Sequence, residues 1–130
     1  MSTYQPIFPK NNKWPERYTF SPGVRAGNLI FLSGSTGTDD SGNIVGPGDI
    51  VAQTRRIFEK FALILQSEGA SLANIVETTD YFLSLEDYQK TAVLRRELFQ
   101  GPPWPAATGV LVSGLIRPGA LIEIKGIAAV

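Results

Sequence analysis

The run Leu121-Ile122-Glu123-Ile124-Lys125-Gly126-Ile127-Ala128 constrains the fold of this chain more than any other stretch. It is rich in β-branched residues and reads as a strand. Side chains alternate along a strand, so Ile122, Ile124 and Ala128 share one face and Leu121, Glu123, Lys125 and Ile127 the other. Both faces are largely apolar, which predicts a strand covered on both sides. Glu123 then falls where a carboxylate is expensive to hide, and such a group needs a partner or a purpose. The plainer alternative is a partly exposed glutamate beside Lys125 at a sheet edge.

What chemistry surrounds that carboxylate is bounded by what the chain lacks. The 130 residues fit one domain, 1–130, with one core. Cysteine and histidine are absent, which removes disulfides, thiolate nucleophiles, Ser-His dyads and imidazole metal sites. Twelve basic residues balance twelve acidic ones, so no charge excess points to nucleic acid. No apolar run spans a bilayer and Met1-Ser2-Thr3-Tyr4 does not resemble a signal peptide, so a soluble cytoplasmic protein is expected.

Gln5-Pro6-Ile7-Phe8 fits a short edge strand, where proline is tolerated. Gly27-Asn28 should turn a hairpin, with both residues at positive φ. The run from Leu29 to Gly34 follows as a strand apolar on both faces, ending in the small polar patch Ser33-Gly34-Ser35-Thr36. Such a patch either offers N–H groups and hydroxyls to a ligand or simply ends a strand. Asp49 is an N-cap for a helix whose stripe is Thr54, Ile57, Phe58, Phe61, Ile64 and Leu65, with Gly69 at its end. Arg55, Arg56, Glu59 and Lys60 fall on its wetter side.

Residues 75–83 read as a strand with Asp80 oddly placed in it, since Asp is depleted in strands. Asp80 faces water or binds something. Ser84 and Asp87 open a second helix to about residue 99, with Leu85, Tyr88, Ala92, Arg95 and Phe99 along one stripe. Gly101-Pro102-Pro103-Trp104-Pro105 stops it, as a cleft wall or a braced loop. Residues 110–116 are expected as the next strand. Two helices cover only one face of a sheet, so the other apolar face should pack against copies of the same chain.

These motifs form a familiar set. Phe20-Ser21-Pro22-Gly23-Val24, Gly27-Asn28-Leu29-Ile30-Phe31-Leu32-Ser33-Gly34, Gln53-Thr54, Gly69-Ala70-Ser71, Glu77-Thr78-Thr79, Pro105-Ala106 and Ile122-Glu123-Ile124-Lys125-Gly126-Ile127-Ala128 occur in an order that resembles the YjgF/RidA family of enamine/imine deaminases. The resemblance implies an α+β, chorismate-mutase-like fold: a mixed sheet with two helices packed on one face, assembled as a homotrimer with a cleft between each pair of subunits. It implies hydrolysis of 2-imino acids or enamines to oxo compounds and ammonia, with no metal and no cofactor. The family's cleft glutamate falls on Glu123, its Ser-Gly segment on Ser33 and Gly34, and its cleft-opening residue on Phe20. Ser35, Trp104 and Thr108 join these as candidate substrate contacts.

The departures matter as much. The family's carboxylate-binding arginine follows Pro-Ala, and Ala107 stands there instead. Ala92 replaces an asparagine of the second helix. Losing one partner of an Arg–carboxylate pair costs about 2–5 kcal/mol. Another cation, Arg117 or Arg25, would have to substitute, or the room beside Ala107 and Trp104 admits a larger or less charged substrate. Three functions are therefore expected to compete: an imino-acid deaminase, a deaminase of a larger enamine, and a binding module without chemistry. RNA cleavage, sometimes ascribed to the family, fits poorly with zero net charge and no basic stripe.

Overall fold

The computed structural model describes residues 3–10 and 14–130. Six strands, β1 (Gln5–Ile7), β2 (Gly23–Ala26), β3 (Leu29–Thr36), β4 (Ile75–Phe82), β5 (Ala106–Leu111) and β6 (Ile122–Ala129), form one sheet in the order β1-β2-β3-β6-β4-β5. All neighbours are antiparallel except β4 and β5, so the sheet is mixed. The expected edge strand at the N-terminus is β1. The strand bearing Glu123 is β6, and it lies inside the sheet between β3 and β4, which removes the sheet-edge alternative.

The hairpin between β2 and β3 turns at Gly27, with φ +59. Asn28 stays out of the left-handed region, so one positive-φ residue suffices where two were expected.

Helix α1 (Ile50–Gln66) begins where the sequence places it. The Asp49 carboxylate accepts the Ala52 N–H at 3.1 Å, satisfying a donor the helix itself leaves open. Gly69, at φ +71, lies beyond its end. Its stripe of Ile57, Phe58, Phe61 and Leu65 is fully buried, and the facing side chains include Ile30, Leu32, Ile122 and Ile124. This is the core.

The expected second helix is two pieces, α2 (Leu85–Gln89) and α3 (Ala92–Phe99). The Thr91 hydroxyl donates to the Tyr88 carbonyl at 2.8 Å, a local bond that competes with helix continuation. Both pieces pack on the same sheet face as α1: Tyr88 stacks on Phe82, and Phe99 meets Phe58 edge-on.

Strand β5 starts four residues before the expected 110–116 and stops at Leu111. Pairing with β4, from Glu77↔Ala106 to Phe82↔Leu111, decides its position over local propensity. Beyond Phe82 the partner strand ends, and Ile116 stands out in solvent.

Asp80 neither faces water nor stands alone. It is 0% exposed, accepts the Tyr88 hydroxyl at 2.5 Å and pairs with Arg95. This explains an arginine inside an apolar stripe: its guanidinium also lies over the Phe58 and Tyr88 rings.

Among the described residues, the other sheet face has no helix on it. Leu29 and Phe31 of β3 are each 39% exposed there, with Ile127 of β6 beside Phe31 in register.

Candidate functional site

The β3–β6 ladder slips between Leu32 and Ser35, so Ser33 and Gly34 together oppose the single residue Lys125. This is a β-bulge, a device that re-aims side chains. The bulge brings Gly34 under the Glu123 carboxylate. A Cβ added at Gly34 would stand 2.5 Å from Glu123 Oε2, closer than real contacts allow. Only glycine leaves room for the carboxylate in this position.

Glu123 is half-buried on the helix-free face. The six ion pairs among the described residues do not include it. Its cross-strand neighbours in register are Thr36 and Tyr81, which share its face. Sequence reading did not single out Tyr81; its only signal was alternation against Asp80.

The Ser33 hydroxyl donates to the Ser21 carbonyl at 2.6 Å, and the Ser33 N–H to the Pro22 carbonyl at 3.0 Å. These bonds hold the segment before β2 against the bulge. Phe20, 51% exposed, lies in that segment. It lines two adjoining depressions of about 390 and 380 Å³, the second shared with Ser33 and Phe31. Glu123 lines neither depression. Phe20 is braced by Tyr18, stacked at 5.2 Å, and by Trp14, edge-on at 5.3 Å. The Trp14 indole N–H also donates to the Phe20 carbonyl at 2.7 Å.

The remaining candidates divide. Ser35 pairs in register with Ile124, so it faces the helices rather than Glu123; the bulge is the cause. Thr108 pairs with Thr79 and shares the face of Glu123, but on the edge strand β5, two strands away. Adjacent strands lie about 4.8 Å apart, so Thr108 and Glu123 are on the order of 10 Å from one another. Ala107 pairs with the buried Thr78 and faces the helix side. Trp104, half exposed, packs its indole over Gly101 and braces the turn before β5. One chain therefore sets Gly34 against Glu123 and Phe20 beside Ser33 in a separate depression, and leaves Trp104, Ala107 and Thr108 apart.

Of the two substitute cations, Arg25 is engaged: it pairs with Glu68 at 3.3 Å. Arg117 is half-buried and touches only neutral oxygens, the Gly42 carbonyl and the Tyr18 hydroxyl, each at 3.5 Å. Near it lies Lys60, whose ammonium donates to the Thr36 carbonyl at 2.6 Å and to Thr38 Oγ1 at 2.8 Å. Burial, then the charges of Arg56 and Arg117, push the Lys60 pKa down to about 8, against a weak opposing pull from Asp40.

Residues 12–130 match the family model described as Endoribonuclease L-PSP. A RutC family protein of Pyrococcus abyssi is 37% identical over 109 residues, 84% of each chain. A second RutC family protein, from Pyrococcus horikoshii, is 35% identical over 109 residues, covering 84% of this chain and 85% of that one. Among solved structures, the Rid family protein YyfA of Yersinia pestis, described as of unknown function, superposes with a TM-score of 0.87 at 28% identity, covering 98% of this chain and 99% of that one. RidA from an Antarctic Psychrobacter superposes with a TM-score of 0.85 at 25% identity, covering 97% and 99%.

Proposed function

The chain belongs to the Endoribonuclease L-PSP family, which is the YjgF/RidA family, and from that premise we propose that it is a hydrolytic deaminase of reactive enamines or imines with atypical specificity. The observation that carries this reading is the Glu123 carboxylate: half-buried, seated on the Gly34 bulge and without an ion-pair partner among the described residues. A carboxylate so placed is free of ionic partners that would hold it away from a water molecule.

In the first step Glu123 takes a proton from water as the oxygen adds to the carbon of a protonated C=N group, giving a neutral carbinolamine. The protonated Glu123 then passes that proton to the nitrogen. The C–N bond breaks as the C–OH proton leaves to the carboxylate, forming C=O and ammonia. The proton on Glu123 is finally released to solvent, so the net change is water added and ammonia lost. Phe20 and the Ser33-Gly34 segment bound the substrate beside this group. Thr108 and Trp104 complete the cleft only from a second copy, which fits a homotrimer joined through the helix-free face. Arg117 is the cation we assign to the substrate's anionic end in place of the arginine absent at Ala107.

The test is ammonia release from an imino acid generated in situ by an amino-acid oxidase, with Glu123→Gln alongside. Acceleration by the wild type and its loss in the variant are expected; equal rates with and without protein overturn the imino-acid reading. A second reading, a metabolite-binding trimer without turnover, is favoured by Ala107, which brings no charge to its position. Zero net charge argues against RNA as a partner. Among the described residues no helix is long and apolar enough to cross a membrane.

A further inference from the structure

We propose that Lys60 and Arg117 together form a seat for a small oxyanion, a carboxylate or phosphate group, at the end of β3. Arg25, Arg55, Arg56 and Arg95 each have a carboxylate within ion-pair distance, and Arg17 and Arg96 are exposed to water. Among the described residues, Arg117 is the arginine that is neither exposed nor paired with an acid. Lys60 is in the same condition, half-buried without a carboxylate partner.

Both reach the same tight loop. Thr38 and Ile44 bridge across it, and Asp39 Oδ1 accepts the Ser41 and Asn43 N–H groups to close its turn. Lys60 binds the loop through Thr36 and Thr38, and Arg117 through Gly42. Those oxygens satisfy hydrogen bonds but carry no net charge. The acid facing the pair, Asp40, has a side chain 90% exposed and is already held by Arg56 at 3.1 Å. Two partly desolvated cations that repel each other lack a counter-charge.

The donors to meet one are present. Lys60 uses two of its three N–H bonds, and the Arg117 contacts lie at the outer limit of hydrogen bonding. A planar guanidinium beside a point-like ammonium suits a carboxylate or phosphate oxygen pair. Lys60 meets β3 at the carbonyl of Thr36, the residue in register with Glu123. It stands on charge and geometry and holds whether or not the chain is a deaminase.

The test follows the Lys60 ammonium by NMR in the full chain with isotope-labelled lysine, its resonance assigned with Lys60→Gln. Its pH titration is run in chloride, inorganic phosphate and pyruvate at matched ionic strength. A bound oxyanion should raise the Lys60 pKa from about 8 by roughly one unit or more. Arg117→Gln should raise it already in chloride, one repelling charge being gone, and then show no response to the anions. Arg25→Gln should behave as the wild type. Should Arg117→Gln fail to fold, Arg117→Lys takes its place and should give a smaller anion response. A shift with pyruvate that also moves the Gly34 amide identifies the anion as a substrate-like carboxylate; a shift with phosphate alone identifies a free phosphate ligand. Identical titrations in all three salts, or an anion response in the Arg117 variant equal to the wild type, overturn the proposal.

Discussion

Replacing Asp80 by valine should destabilise the fold by about 3–5 kcal/mol, because the Arg95 charge would be left buried without its partner. The Arg95 guanidinium lies over the Phe58 and Tyr88 rings, and only 16% of its side chain is exposed. For a domain of this size each kcal/mol moves the melting midpoint by a few degrees, so the loss is on the order of 10 °C. Asp80→Val, Tyr88→Phe and Arg95→Leu made together should recover most of it. Burial pushes the Asp80 carboxyl above the usual 3.8 of an aspartate, and Arg95 and Tyr88 only partly counter this. The ion pair therefore returns less than its desolvation costs, and an apolar filling does as well. One Asp80 oxygen has no hydrogen-bond partner among the described residues, consistent with that balance. The sign of the pH dependence follows. The folded state holds the Asp80 proton more tightly than the unfolded chain, so its contribution is fullest below 3.8 and is lost as pH rises through the raised folded value. Urea unfolding of wild type against Asp80→Asn should show the wild type losing relative stability over that rise. A single Asp80→Val as stable as the wild type, or a triple variant as weak as the single one, would refute the reasoning.

Two further outcomes are expected. Gly34→Ala should leave stability within about 1 kcal/mol, since the flexible Glu123 side chain can yield, but displacing the carboxylate by about 1 Å should reduce any turnover on the order of 100-fold, read as kcat with the melting midpoint as control. Phe31→Glu, which places a charge on the helix-free face, should shift the chain toward monomer in analytical ultracentrifugation, and an unchanged sedimentation coefficient would show that this face is not the contact.

Local periodicity made α1 legible to its caps, since Asp49, the Ile57-to-Leu65 stripe and Gly69 are all near in sequence. The same rule marked Asp80 as out of place in a strand and put Arg95 in an apolar stripe. It could not join them, because which residue of α3 lies over which residue of β4 is a matter of packing. Alternation put Glu123 on the face opposite Ile122 and Ile124, where it is found. Its neighbours Tyr81 and Thr36 depend on register, and the register depends on a bulge that no spacing announces. The same bulge turned Ser35 to the helix side. Lys60 read as a wet-face residue because its Cα is; its long stem carries the ammonium back to Thr36. β5 was misplaced because the apolar run after Gly109 has the better propensity, whereas β4 dictates where pairing begins.

The position of β6 carries a consequence for biogenesis. Residues 122–129 are translated after every other strand, yet they are the seam between the half of the sheet holding β1, β2 and β3 and the half holding β4 and β5. Until they emerge from the ribosome, β3 and β4 each present a raw flank able to recruit a stray strand. Closure of the sheet is thus a late event over long sequence separation. Cutting the chain back into this segment would not trim the domain; it would unzip it down the middle.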